Sequence, residues 1–157
     1  RRYGQALALA REAADLAAGR ADTAAWWQMM FLQGECFREQ GLYEECRNVA
    51  ETLRAHQLTA SSPALAAKVL TMLSVVSQIS DEVPQAIALA REALRLSDAN
   101  EGPPGLHVEA QLALIAALAE SDQLDQAWAE CVVLSGMLDG EADSQLAGKA
   151  YWVIGNV

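Results

Sequence analysis

The amino-acid sequence predicts an all-α protein built from antiparallel helix pairs. Short side chains recur with spacings of 40, 40 and 41 residues, at Ala6, Cys46, Ala86 and Ala127. A second series recurs with spacings of 40, 41 and 40, at Gly34, Ser74, Ile115 and Gly155. Strand-like alternation of apolar and polar residues never continues for more than a few positions. A fixed period between roughly 20 and 50 residues is typical of stacked repeats.

Apolar spacing and helix-stop residues predict eight helices in chain order. Their ranges are 3–18, 23–40, 43–58, 63–80, 84–98, 105–120, 124–138 and 143–157. Ser62 and Pro63 mark the start of the fourth helix, because Ser is a favoured N-cap and Pro suits the first helical position. Asp81 and Pro84 mark the start of the fifth in the same way. Turn residues interrupt the helical pattern at Gly19, Gly41, 102–105 and Gly140.

The short side chains have a physical role where two helices cross. Only a small residue lets two helix axes approach to the lower end of the usual range of about 8–10 Å. We expect Gly34 to face Cys46 across the second helix pair. We expect Ser74 to face Ala86 across the next pair.

The composition excludes several classes of function. The chain is 52% hydrophobic and carries a net charge of −10. Clustered basic residues are needed to bind phosphates, so we expect this segment to make no direct nucleic-acid contact. Because an acidic surface is poorly matched to an anionic membrane, we also expect it to bind no membrane. No apolar run approaches the roughly 20 residues that span a bilayer. Three cysteines, an odd number, fit a reducing cytoplasm.

The chain is expected to be one domain. Its 157 residues are enough for a core that neighbouring repeats share. The first residue is Arg1, and the last predicted helix is still in mid-pattern at Val157. We therefore expect residues 1–157 to be a single helical repeat domain cut from a longer chain.

A helix pair with a recognisable residue pattern recurs along the chain. Its first helix has a large apolar residue, a small residue four positions later and an aromatic residue three after that, as in Met30, Gly34 and Phe37. Its second helix has small residues, as at Cys46 and Ala50. This pattern resembles tetratricopeptide repeats along the whole chain, with a period of about 40 instead of that family's usual 34 or so. The resemblance implies a right-handed superhelix of antiparallel helix pairs, an α-solenoid.

The period, the composition and the closing stretch 150–157 also resemble the C-terminal sensor region of bacterial helix-turn-helix (Xre-type) transcription regulators. That resemblance implies a cytoplasmic ligand-sensing and dimerisation domain, with its DNA-binding part outside this chain. A homo-oligomer is expected because Trp152, Val153 and Ile154 would form an uncovered apolar end. The alternative is a scaffold or adaptor that assembles protein complexes without switching.

In such a stack the first helix of each pair lines a concave face, which we expect to bind a peptide or protein ligand. Its predicted residues are Gln28, Phe31, Glu35, Arg38, Lys68, Thr71, Met72, Val75, Gln78, Glu109, Leu112, Ala116, Lys149, Trp152 and Asn156. In peptide-binding repeats an Asn that follows the small Gly grips the ligand main chain, which implies this role for Asn156. The alternative is a solvated polar side chain near a chain end.

Tryptophans are interpreted mainly as packing residues. The adjacent indoles of Trp26 and Trp27 cannot both face one core stripe, so one should be exposed or cover the seam between repeats. A binding platform is the alternative for this pair. Trp128 and Trp152 are also expected to pack, with Trp152 reachable from the concave face.

No constellation of residues predicts chemistry. Cys36 and Cys46 flank one turn and could approach each other, but buried free thiols are ordinary at helix crossings. His56 and His107 lack the companion ligands of a zinc site. The chain has no phosphate-binding Gly loop and no nucleophile elbow. We therefore expect neither an enzyme nor a protein with a metal or cofactor.

Overall fold

The computed structural model describes residues 2–97, 104–138, 148, 152–153 and 155. All regular secondary structure within these ranges is helical. The helices are α1 (Arg2–Gly19), α2 (Thr23–Glu39), α3 (Tyr43–Arg54), α4 (Gln57–Ser61), α5 (Pro63–Ile79), α6 (Val83–Ser97), α7 (Pro104–Glu120) and α8 (Leu124–Leu138). None of the helices in the described ranges has the length and apolar content needed to cross a membrane.

The predicted all-α class is confirmed, and six of the predicted helices have bounds within one residue of the observed α1, α2 and α5–α8. The predicted third helix, 43–58, is wrong, because the chain leaves the helical conformation after Arg54. The predicted last helix, 143–157, lies outside the described residues except at Gly148, Trp152, Val153 and Gly155.

A hydrogen-bonded break separates α3 from the short helix α4. His56 is extended, and its Nδ1 accepts a hydrogen bond from the Leu58 N–H at 3.2 Å, so it caps α4. The Thr59 hydroxyl donates to the Leu53 carbonyl at the end of α3. The same hydroxyl accepts the indole N–H of Trp27 at 2.8 Å. These bonds satisfy groups that a continuous helix would have paired internally.

The same turn follows four of the described helices, α1, α2, α5 and α7. One residue in each turn has a positive φ, namely Ala21, Gly41, Asp81 and Asp122. The backbone N–H of the residue after it donates to the carbonyl of the residue five positions before the donor. This is the six-to-one hydrogen bond of a Schellman motif. Its length is 2.9 Å from Leu42 to Phe37, 2.8 Å from Glu82 to Ser77 and 3.0 Å from Gln123 to Leu118. The turns at Gly41, Asp81 and Asp122 therefore repeat the sequence period.

Helices that are consecutive in sequence pack against each other. Contacts join α1 to α2, α2 to α3, α5 to α6, α6 to α7 and α7 to α8. Helix α5 also contacts α2, α3, α4 and α7, so it lies at the centre of the described structure. The first helices of three successive pairs, α2, α5 and α7, are thereby brought together along one side.

Small residues lie where the helices approach most closely. The Ser74 hydroxyl donates to the Ala86 carbonyl at 2.8 Å, so the predicted facing of these two residues is confirmed. At Gly34, an added Cβ would lie 2.8 Å from Met72 Sδ and 3.4 Å from Val49 Cγ1. Gly34 therefore permits close approach of α5 as well as of α3.

Candidate functional site

A groove of about 780 Å³ runs across α2, α5 and α7. Its lining residues are Phe31, Glu35, Arg38, Lys68, Thr71, Met72, Val75, Gln78, Glu109, Leu112, Ala113, Ala116, Gly148, Trp152 and Val153. The volume lies within the range of roughly 300–1,000 Å³ that is usual for ligand pockets. The groove is therefore large enough for a small molecule or several residues of a peptide.

Helical spacing explains why these side chains share one surface. Phe31, Glu35 and Arg38 are separated by four and three positions, so they lie on one face of α2. The same spacing continues on the other two helices, at 68, 71, 75 and 78 in α5 and at 109, 112, 113 and 116 in α7. The contacts of α5 with α2 and α7 align the three faces.

Two residues of the groove lining, Phe31 and Lys68, belong to a stack of side chains. The rings of Trp27 and Phe31 are stacked with centroids 5.4 Å apart and planes 7° apart. The Lys68 ammonium lies 5.8 Å from the Phe31 ring centroid, within cation–π range. Trp27 is only 2% exposed, so it fixes Phe31 from the core side. Lys68 forms no salt bridge to another described residue, so its charge is available to a ligand.

An arginine with two carboxylate partners lies on the α2 side of the groove. Arg38 Nη2 is 2.9 Å from Glu35 Oε2 and 3.0 Å from Glu39 Oε1. Partial burial would lower the pKa of Arg38, but the two carboxylates outweigh this effect and raise its pKa. The charge of Arg38 is therefore compensated within the protein, whereas that of Lys68 is not.

Two polar side chains of α5 differ in what they can offer a ligand. The Thr71 hydroxyl already donates to the Ala67 carbonyl at 2.9 Å, so it can only accept a further hydrogen bond. The side-chain amide of the half-buried Gln78 makes no hydrogen bond within the described part of the chain. An amide both donates and accepts, so Gln78 can pair with a peptide group.

The structure brings together most residues predicted for the concave face. The predicted residues that line the groove are Phe31, Glu35, Arg38, Lys68, Thr71, Met72, Val75, Gln78, Glu109, Leu112, Ala116 and Trp152. Gln28 is exposed and does not line it, because it lies one turn beyond Phe31, toward the start of α2. Lys149 and Asn156 lie outside the described residues. Whether this surface binds a ligand remains a prediction.

Sequence reasoning missed three lining residues, Ala113, Gly148 and Val153. Ala113 lies four positions after Glu109, so helical spacing could have identified it. Gly148 lies four positions before Trp152, and Val153 lies four positions after Lys149, so the same spacing in the predicted last helix could have identified both. Val153 also packs against the buried cluster that contains Ile115 and Leu134.

The tryptophans follow the packing interpretation only in part. Trp27 is buried and Trp26 is half-buried with its ring 5.0 Å from that of His56, so neither indole is fully exposed. The prediction that Trp128 packs is wrong, because it is 57% exposed. Helix α8 buries Ala127 and Cys131 against α7, and the intervening positions point elsewhere. The prediction that Trp152 packs is also wrong, because this groove-lining side chain is 70% exposed.

All three cysteines are free and buried. Burial raises the pKa of the Cys46 thiol to about 11, and the Glu35 carboxylate adds to this effect. Burial, with smaller contributions from nearby carboxylates, also raises the pKa of Cys36 and of Cys131. A thiol reacts as the thiolate, so these environments oppose reactivity.

We expect Cys46 to make the stability of the fold depend on pH in the alkaline range. Its ordinary pKa is 9.0, and its folded-state pKa is about 11. The unfolded chain therefore loses this proton first, and stability falls as the pH rises. The contribution is fully present below pH 9 and is lost as the pH rises through 11. Urea unfolding between these pH values should show a steeper decline for the wild type than for Cys46→Ala. Equal slopes would contradict this prediction.

In the described ranges, no three His, Cys, Asp or Glu side chains are grouped closely enough to hold a metal ion. The two histidines have local structural partners: His56 caps α4, and His107 Nδ1 lies 3.0 Å from the Ser97 hydroxyl.

Comparison with known proteins found no matching family model, no matching curated protein and no matching solved structure.

Proposed function

We propose that this chain is a peptide- or protein-binding helical repeat domain whose ligand lies in the groove across α2, α5 and α7. The observation that carries the proposal is the groove itself, about 780 Å³ in volume and lined from the first helices of successive pairs. It combines apolar side chains with a few polar groups, which is typical of ligand-binding pockets.

The proposal includes a tetratricopeptide-like superhelix of right-handed sense. Recurring turns at Gly41, Asp81 and Asp122 support it, since equal turns orient each pair alike. The contacts of α5 with both α2 and α7 also support it, since first helices stack on first helices in such an array. Repeat arrays of this kind commonly use their concave surface for binding.

The groove chemistry favours a peptide segment of mixed character. The half-buried Val75 and Leu112 offer apolar contact, and the side-chain amide of Gln78 can pair with a main-chain amide. Lys68 and Glu109 supply one charge of each sign, on α5 and α7 respectively. The groove offers few charges to pair with those of a highly charged ligand. A peptide segment with apolar side chains therefore fits it better than a highly charged one.

For the mechanism, we propose that ligand binding changes the curvature of the array and thereby the spacing of attached domains in a homodimer. This is the regulator form of the proposal, and it follows from the resemblance to bacterial sensor regions. A non-switching scaffold would bind the same ligand without a change in shape. Small-angle X-ray scattering with and without a bound peptide separates the two, because only the regulator form requires the radius of gyration to change.

Filling the groove should weaken binding at least tenfold without affecting the fold. Ala116 is half-buried on the groove wall, so Ala116→Phe places a ring in the space that a ligand would occupy. The probe is a peptide selected from a random twelve-residue display library on the immobilised wild-type chain. We expect calorimetric titration to show at least a tenfold weaker Kd for Ala116→Phe, equivalent to about 1.4 kcal/mol.

Ala88→Phe is the matched control, because Ala88 is an exposed helical alanine on α6 that does not line the groove. Its affinity for the selected peptide should equal that of the wild type. A selected peptide that binds Ala116→Phe as tightly as it binds Ala88→Phe would refute the groove as the binding site.

A further inference from the structure

Helices α1 and α6 are near copies of each other. Residues 6–13 and 86–93 differ only at Leu7, which corresponds to Ile87. One stripe of α6 consists of Ala86, Leu89, Ala93 and Leu96, and the equivalent stripe of α1 has identical residues at Ala6, Leu9, Ala13 and Leu16. Leu16 and Leu96 lie beyond the copied segments 6–13 and 86–93. They are identical although the residues on either side of them differ. We call the four residues of α1 the α1 stripe.

On α6 this stripe is covered by α5. Ala86 and Ala93 are both 0% exposed, and the Ala86 carbonyl accepts the Ser74 hydroxyl at 2.8 Å. Leu70 of α5 and Ala110 of α7 form a buried cluster with Ala93, against which Leu89 and Leu96 pack. Helix α6 thus packs against both the helix before it, α5, and the helix after it, α7.

On α1 the same stripe is open. Leu9 is 66% exposed and Leu16 is 56% exposed, and Ala6 is less buried than Ala86. Helix α1 contacts α2 and no other helix of the described structure. The neighbouring face of α1 matches that of α6, because Leu7 and Ala10 are buried as Ile87 and Ala90 are. Each of the two helices thus packs against the helix that follows it in the chain. Only α6 also packs against a helix that precedes it.

We propose that the α1 stripe is a docking surface for one amphipathic helix that carries the apolar pattern of α5. The α5–α6 contact defines what this helix needs. A small hydroxyl side chain, equivalent to Ser74, would lie opposite Ala6 and donate to its carbonyl. A large apolar side chain four positions earlier, equivalent to Leu70, would cover Ala13 between the two exposed leucines. This surface lies on α1, outside the groove lining, so it does not depend on the proposed function.

A chimera tests the proposal within the intact chain. A second copy of residues 62–82 is joined directly to Tyr3, because Glu82 precedes Val83 and Val83 corresponds to Tyr3. The grafted copy can then pack on α1 as α5 packs on α6. We expect thermal unfolding to give a Tm at least about 2–4 °C above that of the parent chain, the shift that about 1 kcal/mol of added stability produces in a domain of this size.

Two sets of variants show whether the gain comes from the α1 stripe. Leu9→Ser with Leu16→Ser should leave the Tm of the ungrafted chain almost unchanged, because both leucines are exposed there. In the chimera the same two substitutions should abolish the increase in Tm. A Leu70→Asp substitution made in the grafted copy, and not in the original α5, should abolish it as well.

A chimera that is no more stable than the parent, or a gain that survives Leu9→Ser with Leu16→Ser, overturns the proposal. A second copy of the chain is the other possible occupant. Sedimentation that shows a dimer of the parent chain, lost in Leu9→Ser with Leu16→Ser, would assign the stripe to that copy and would also overturn it. None of these outcomes alters peptide binding in the groove, so the two hypotheses fail separately.

Discussion

Trp27→Ala should reduce the free energy of unfolding by about 3–5 kcal/mol, the range for truncation of a large buried aromatic residue. The indole is 2% exposed and stacks on Phe31. Its N–H donates to the Thr59 hydroxyl, which in turn donates to the Leu53 carbonyl. The substitution therefore leaves a cavity and also removes the bond that holds α4 on the core. Urea unfolding followed by circular dichroism measures the loss.

Trp128→Ala is the control for that substitution, since Trp128 is 57% exposed on α8. We expect its unfolding free energy to stay within about 0.5 kcal/mol of the wild type, as for most surface changes. If the two variants lost equal stability, the assignment of Trp27 to the core would be wrong. The groove would also change in Trp27→Ala, because Phe31 loses the ring that supports it.

Ala86→Leu should force apart the helix pair formed by α5 and α6. Ala86 is 0% exposed, and its carbonyl lies 2.8 Å from the Ser74 hydroxyl, so no space exists for three further carbon atoms. Overpacking of this kind costs about 1–3 kcal/mol. Displacement of α5 would also carry Ser74 away from the Ala86 carbonyl, which would leave a buried hydroxyl without its acceptor.

Ala88→Leu makes the same chemical change two positions later, on the exposed side of α6. Leucine and alanine both favour helices, so we expect this control to melt within a few degrees of the wild type. Equal melting temperatures for Ala86→Leu and Ala88→Leu would show that the assigned helix register is incorrect.

The helix boundaries could be predicted because local chemistry determines them. Ser62 accepts the Leu65 N–H at 3.3 Å, as an N-cap followed by proline is expected to do. The break at His56 could not be predicted, since neither Gly nor Pro marks it. Its stability depends on Thr59 and Trp27, and Trp27 lies on another helix far away in the sequence. Only tertiary structure supplies that partner.

The groove was predictable to the extent that helical spacing decides it. The residues on α5 and α7 follow directly from the positions of Ser74 and Ile115 in the repeat. The limits of the groove do not follow, because they depend on tertiary contacts such as that between Lys68 and the Phe31 ring. The exposure of Trp128 was missed for a related reason. An apolar side chain is buried only if another element covers its face, and a sequence pattern cannot show whether that element is present.

The recurring Schellman turn has a consequence for how this protein can change in length. Leu42 and Glu82 end equivalent turns, so excision of residues 43–82 would join Leu42 to Val83 with the same backbone conformation at the junction. Duplication of that block would likewise require no new turn. Insertion of a single residue into one of these turns would instead alter the direction of every helix that follows. Gain and loss of whole blocks of 40 residues is therefore the change that this architecture tolerates most readily.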